Sequence, residues 1–556
     1  MGKLNGFYPV PAFTSHKKAT AFMLVAFLWL CFVWHVRAQT QQRSKVQLEE
    51  ADILNADEKV YGKGVQVVHG NVRFRHANTV LFCDSAYMYR DSNMVIAYSR
   101  VHMIHNDSVH LYGDVLDYLG NQNLARVRKN VRMVKGDVEL TTEFLDYDRV
   151  KNVGYYFNGG KVVNKENTLL SDWGYYHPDI DEVFFKDSVK VYNPKYTMFS
   201  DTMKYHTASE TVKILGPTFI VSDSNLIYSE DGYYDTKNDF SQLRKNSYIQ
   251  GKEQTLYGDT INYDKKIGLG EVFGNMVLKD TVNHVIIKGN YGLYNEITKN
   301  ALATKKAVMQ QIYRGDTLHL HADTLRMDTI PELGTKLIRA YYKVKFFRTD
   351  IQGRCDSMVY NLIDSTNTMF HDPVIWAQGS QMSAQTIKLY TKNQVLDKAE
   401  LINAAFVAQQ EDSILFNQIK GKNMVGFFVN NDLYKIDVDG NGQTIYYPKD
   451  KDAIIGVNRA ESSNLTLMFK ERKIERIIMR VTPGGNMNPP YLLPEKDVRL
   501  QGFIWLENFR PKNKDDIFKI DELPKMEERP LFDDFEDVEV GNLKKAKEHI
   551  SNHHQE

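Results

Sequence analysis

Asp259-Thr260-Ile261-Asn262-Tyr263 alternates apolar and polar side chains behind an aspartate, and the same pattern stands at Asp114-Val115-Leu116-Asp117-Tyr118, Asp201-Thr202-Met203-Lys204-Tyr205 and Asp356-Ser357-Met358-Val359-Tyr360. A period of two puts one set of residues on each face of a strand. Looser copies bring the series to twelve between Cys83 and Phe427. Their last residues form a column: Met88, Tyr118, Tyr147, Tyr176, Tyr205, Tyr228, Tyr263, Tyr294, Met327, Tyr360, Leu389 and Phe427, spaced 23 to 38 residues apart. Two residues earlier runs a second column of apolar residues and Gly: Ala86, Leu116, Leu145, Gly174, Met203, Leu226, Ile261, Gly292, Leu325, Met358, Ile387 and Val425. A unit of this size cannot bury its apolar face alone, so recurrence predicts a stacked, all-β architecture.

Further strands alternate Val or Phe with Arg or Lys, as in Gly70-Asn71-Val72-Arg73-Phe74 and Gly274-Asn275-Met276-Val277-Leu278, placing apolar residues on one side and polar ones on the other. Gly, Asn and Asp mark turns, while proline is scarce in the strands. The aspartate column (Asp84, Asp114, Asp172, Asp201, Asp259, Asp323, Asp356) also accepts Glu143, Ser224, Asn290, Gln385 and Asn423. A short polar acceptor therefore suffices, and it is expected to bond its own neighbouring backbone at strand entry. The tyrosines form either a sugar-stacking platform or, the commoner use of such a stripe, core with the hydroxyl at the rim.

Lys and Arg total 70 and Asp and Glu total 70, so there is no basic field to hold nucleic acid. Lys17-Lys18, an apolar run from Ala19 to Trp34 and Val36-Arg37-Ala38 read as a secretory signal peptide, residues 1–38, cleaved after Ala38. The alternative is an uncleaved anchor, for which the run is short of the ~20 residues a span prefers. In the exported chain remain Cys83 and Cys355, nine repeats apart. At one strand spacing of ~4.8 Å per repeat they lie roughly 40 Å apart, so no bridge between them is expected.

A polar leader, 39–58, precedes the repeat array, 59–427. A degenerate continuation or cap follows over 428–510, and a charged flexible tail over 511–556. Asp437, Asp439, Asn441 and Gly442 imitate the start of a calcium loop, but the twelfth position is Pro448, so a tight hairpin turn is the reading here. His319 and His321 share a strand face without the spacing of a metal site. No nucleophile elbow, zinc-protease helix or phosphate-binding Gly loop is written anywhere, so no cofactor, metal or catalytic residue is assigned and an enzyme is not expected.

A signal peptide, Gly-Asn-Val-x-Phe strands and Asp-x-apolar-x-Tyr strands near a thirty-residue spacing together resemble the OstA-like family, which includes the periplasmic lipopolysaccharide-transport bridge LptA and the N-terminal domain of LptD. The stretch from Gly440 through Leu500-Gln501-Gly502-Phe503-Ile504-Trp505 to Lys512 is similar to long OstA-like proteins of Bacteroidetes-type bacteria. The likeness runs over roughly 59–510. It implies an elongated, semi-open, twisted β-jellyroll in the periplasm, bridging to the outer membrane. Its apolar trough would shield the acyl chains of lipopolysaccharide, and its ends would join other transport components of the same fold at the inner and outer membranes by strand pairing. The trough residues so implied are Leu116, Tyr118, Leu145, Tyr147, Met203, Tyr205, Leu226, Tyr228, Ile261, Tyr263, Leu325, Met327, Met358, Tyr360, Ile387 and Leu389. The rival readings are a secreted β-solenoid enzyme acting on polysaccharide and a structural adhesin without cargo. The enzyme needs two or three carboxylates gathered at one place, which a regular aspartate column does not supply.

Overall fold

In the computed structural model, which describes residues 44–521 apart from 314, 393–394, 452, 472, 490–492 and 495–496, most of the described chain is antiparallel strand. Contacts divide it into two units: residues up to Val134 with Phe144–Lys151, and Lys135–Glu143 with the chain from Asn152 onward. In the first unit Val65–His76, Thr79–Tyr89, Met94–His105 and Val109–Leu119 pair in chain order. Gln47–Glu50 and Ile53–Asn55 add to the outer edge of Val65–His76. Part of the expected polar leader is therefore sheet, because Val46, 5 % exposed, brings an apolar anchor to it. The second unit repeats the plan through Phe240–Gln250, Gln254–Asp264, Leu269–Asp280, Val285–Asn295 and beyond. Where proline falls within the repeat the long strand splits in two, as Thr211–Ile214 and Thr218–Val221 flank Gly216-Pro217.

Each long strand also turns a corner at its middle. Pairing breaks between Tyr257 and Thr260 opposite Phe273 and Met276, and the bulged residues Gly274 and Asn275 sit at φ 74° and 46°. Lys129-Asn130, Lys245-Asn246 and Lys305-Lys306 make the same left-handed pair in other repeats. The bulge re-aims the strand, so both of its halves turn an apolar side inward. The acceptor column serves these corners. Asn130 donates to Asp114 at 2.7 Å and Asn275 to Asp259 at 2.9 Å, Arg100 pairs with Asp84 at 2.7 Å, and at the sixth copy the acceptor is Glu230 in place of the expected Ser224, taking a bond from Asn246 at 2.8 Å. The bond thus crosses to the neighbouring strand instead of closing on the acceptor's own backbone, because the left-handed corner presents its side chain at that level. Gly440-Asn441, at φ 79° and 52°, is another such corner within Asp432–Tyr446; the hairpin expected there is absent.

Fourteen of the sixteen expected trough residues are 0–5 % exposed and face inward. Leu226 and Tyr228 are the exceptions. They point outward, half-buried, while Ile227 between them is in the core. The column's true member is Tyr234, 1 % exposed and 29 residues from both Tyr205 and Tyr263, with Gly232 two residues before it. At the twelfth copy Val425 and Phe427 likewise face outward, and Met424 and Phe428 fill the core.

Asp432–Tyr446, Val457–Lys470, Lys473–Arg480 and Gly484–Asn488 carry the ladder on through the segment expected to continue or cap it. The chain then doubles back as a strap over the outer face of the sheet. The tail expected to be free from 511 is docked as far as 521: Ile517 is 2 % exposed, and Asp521 pairs with Lys345 at 2.6 Å and Arg354 at 3.0 Å. A buried Lys345 and a half-buried Arg354 on neighbouring strands attract its carboxylate, which composition alone does not reveal. The signal peptide and residues 522–556 lie outside the described residues.

Candidate functional site

The two inward-facing halves of each strand enclose a lining of Leu, Ile, Met, Val and Tyr. Backbone pairing holds each half together, but among the described residues no backbone-to-backbone hydrogen bond joins the two hairpin edges, which meet through side chains. In the second unit Asn167 donates to the Tyr205 hydroxyl at 3.1 Å, and that hydroxyl donates to Asn164 at 2.8 Å. Asn225 donates to the Tyr263 hydroxyl at 2.8 Å, which donates to Glu296 at 2.6 Å, and the Tyr294 hydroxyl donates to Gln254 at 2.7 Å. Ion pairs reinforce this line: Lys135 with Asp181 at 2.9 Å, Lys165 with Glu210 at 2.5 Å, and Lys336 with Asp280 at 2.8 Å. The tyrosine column is thus core along its ring and seam at its hydroxyl, the amphipathic role its position allows.

Burial pushes the Tyr205 hydroxyl up to about 12, so it stays a donor at any physiological pH. For Asp280 burial acts to raise the carboxyl, but Lys336 and Asn283 together bring it below its ordinary range and keep it charged. The first unit has its own seam, in which His76 Nδ1 lies 2.6 Å from the Tyr118 hydroxyl and the Arg149 guanidinium meets both. Burial first, and then the charge of Arg149, lowers the affinity of His76 for a second proton.

Elsewhere the chemistry is structural. Cys83 and Cys355 are free, buried thiols, and burial beside Asp84 pushes Cys83 up to about 12, far from a reactive thiolate. His321 Nδ1 bonds the Ala307 carbonyl at 2.7 Å and packs on Phe518, while His319 lies 3.3 Å from Gln310. Among the described residues no three His, Cys, Asp or Glu side chains gather as metal ligands, and no helix is long and apolar enough to cross a membrane.

The strap is a feature the sequence reading missed. Gln418 donates to the Val498 carbonyl and accepts from the Leu500 amide, both at 2.9 Å; Gln381 makes the same pair with Ile504 and Leu506, both at 2.7 Å. Each amide imitates a strand neighbour. Leu500 joins Phe406, Ala408 and Ile445 in an apolar cluster covered by Phe503 and Trp505. Three buried glutamines at one level of the outer face, Gln352, Gln381 and Gln418, were the available sign, and Gln352 too meets the strap, accepting from Arg510 at 2.9 Å.

An antiparallel β stack with an apolar interior, closed by a polar side-chain seam, defines the class of protein. Residues 43–201 and 198–311 match the model of the OstA-like family, described as OstA-like protein. Among solved structures it is similar to LptH of Pseudomonas aeruginosa, the LptA-homologous periplasmic component of the lipopolysaccharide transport device, at 18% identity over 20% of this chain and 80% of that one, TM-score 0.18. It is also similar to the extracellular domain of a one-component system from B. thetaiotaomicron, at 8% identity over 80% of this chain and 98% of that one, TM-score 0.09. At such TM-scores the architecture rests on this chain's own strand register. No curated protein matches it.

Proposed function

We propose that the chain is a non-enzymatic periplasmic bridge of lipopolysaccharide transport, serving outer-membrane assembly and shielding acyl chains inside its β stack. The observation that carries this reading is the lining: columns such as Leu116-Tyr118, Met203-Tyr205, Ile261-Tyr263 and Met358-Tyr360 are apolar, and in each unit the seam beside them has, among the described residues, no backbone-to-backbone hydrogen bond. The match of residues 43–311 to the OstA-like family supports it. The edge strand Ile53–Asn55, with Ile53 55 % and Leu54 48 % exposed, supports the joining of a partner of the same fold by strand pairing.

The close filling of the same interior favours one rival, a structural stack without cargo. Photo-crosslinking separates the two. A photoreactive residue at Leu116, Met203, Ile261 or Met358 is expected to capture lipopolysaccharide, and one at the outward Asp117 or Lys204 is not. Capture at neither set while export proceeds would leave the cargo-free stack.

A further inference from the structure

On the outer face of the second unit, five successive strands place an aromatic ring at one level. Phe199, Phe219, Tyr228, Tyr248 and Tyr257 are register partners in turn. From Phe219 onward the ring centroids lie 4.8, 5.3 and 5.7 Å apart, and Phe199 and Phe219 are 42 % and 39 % exposed. Cross-strand pairing explains any two such neighbours. It does not explain what stands at the end of the row. The next register partners, Val277, Lys288 and Val308, line a groove of about 350 Å³ between the sheet and the strap.

Lys306 and His319 of the sheet and Lys514 of the strap also line that groove. Lys288, Lys306 and Lys514 have no carboxylate partner within ion-pair distance among the described residues, although this neutral chain pairs many of its other cations. Asp515 is the single carboxylate of the lining, so three lysines leave it net positive. The row of aromatic rings, with Phe199 and Phe219 the most exposed of them, offers apolar surface of the kind against which a sugar ring packs. Lysines in a half-enclosed groove suit a phosphate group, which accepts charge-assisted hydrogen bonds from them.

We propose that this outer surface binds a phosphate-bearing saccharide, with sugar rings stacked along Phe219, Tyr228 and Tyr248 and the phosphate held among Lys288, Lys306 and Lys514. The surface is distinct from the apolar interior, and its test uses no lipid. Isothermal titration of the full chain would compare a phosphorylated maltotriose, neutral maltotriose and inorganic phosphate. Lys288→Ala with Lys306→Ala, and Phe219→Ala with Tyr248→Ala, are each expected to weaken the phosphorylated sugar at least tenfold, and the neutral sugar and inorganic phosphate are expected to bind more weakly than the combined ligand. Added salt should weaken binding to the wild type and change little in the lysine variant. Thermal melting checks that both variants fold, and the lysine pair, being exposed, decides the matter if the aromatic pair does not. The proposal is overturned if phosphorylated maltotriose shows no binding at millimolar concentration, or binds the wild type and lysine variant alike. It is also overturned if inorganic phosphate matches the sugar phosphate and ignores the aromatic substitutions, which would mark a site for the free anion only.

Discussion

Replacing Gln381 and Gln418 together by leucine should unpin the strap from its register while leaving the stack folded. The two side chains are 2 % and 0 % exposed and make four hydrogen bonds to strap backbone, at 2.7 to 2.9 Å. At a net ~0.5–1.5 kcal/mol each, their loss costs about 2–6 kcal/mol, and the stranded amides and carbonyls push toward the upper end. Leucine keeps the volume and adds apolar contact with Leu500, Phe503 and Trp505, so the strap loses its register more than its affinity for the sheet. Hydrogen exchange read by mass spectrometry reports this directly. Peptides over 497–510 should exchange roughly 30-fold faster or more, since each 1.4 kcal/mol is about tenfold. Peptides over Gln254–Asp264 should not change. If strap amides in the double variant stay as protected as in the wild type, the glutamines are not what fixes it. If strap and stack lose protection together, they are one cooperative unit and the separation assumed here is wrong.

Tyr234→Ala, at a fully buried ring, should cost about 3–5 kcal/mol in urea denaturation, and Tyr228→Ala, on the outer face, less than about 1 kcal/mol; equal costs would restore the column as first read through Tyr228. For His76 the pH dependence follows from its lowered pKa. The folded state binds fewer protons, so stability is full above the unfolded value near ~6.5 and is lost as pH falls from there through the folded pKa. Denaturation of the wild type between neutral and acid pH, against His76→Gln, should show a loss that the variant lacks.

Strand period, stacking and inward faces were legible because alternation is a property of each five-residue fragment. Phase was legible only where the fragment was complete. Around Tyr228 an alternating Leu226-Ile227-Tyr228 offered two possible faces, and the tyrosine drew the reading to the wrong one, although Gly232 occupied the apolar position just as Gly174 and Gly292 do. The corners were visible as Gly-Asn pairs, but Gly70-Asn71 and Gly274-Asn275 read as the start of a strand and Gly440-Asn441 as a hairpin. Only the pairing register shows that the strand resumes on the far side, and Lys305-Lys306 does the same work without a glycine. The strap depends on contacts between residues more than 80 positions apart, such as Gln418 with Leu500, which no local pattern encodes.

The seam decides whether the interior is a core or a conduit. Opening it over three repeats, from the Asn164-Tyr205 contact to the Gln254-Tyr294 contact, breaks roughly six side-chain hydrogen bonds, which at ~0.5–1.5 kcal/mol each is about 3–9 kcal/mol. No backbone ladder has to part. An acyl chain of about a dozen methylenes returns ~0.8 kcal/mol for each one buried, or about 10 kcal/mol, and so offsets that cost on its own. Prising apart the backbone-paired strands of a sheet instead would strand buried amides at ~1–3 kcal/mol apiece, and no single chain would compensate. A closed resting interior and a lipid-carrying one are therefore compatible in energy along this line and no other, which is why crosslinks at Met203 and Ile261, beside the seam, are the informative ones.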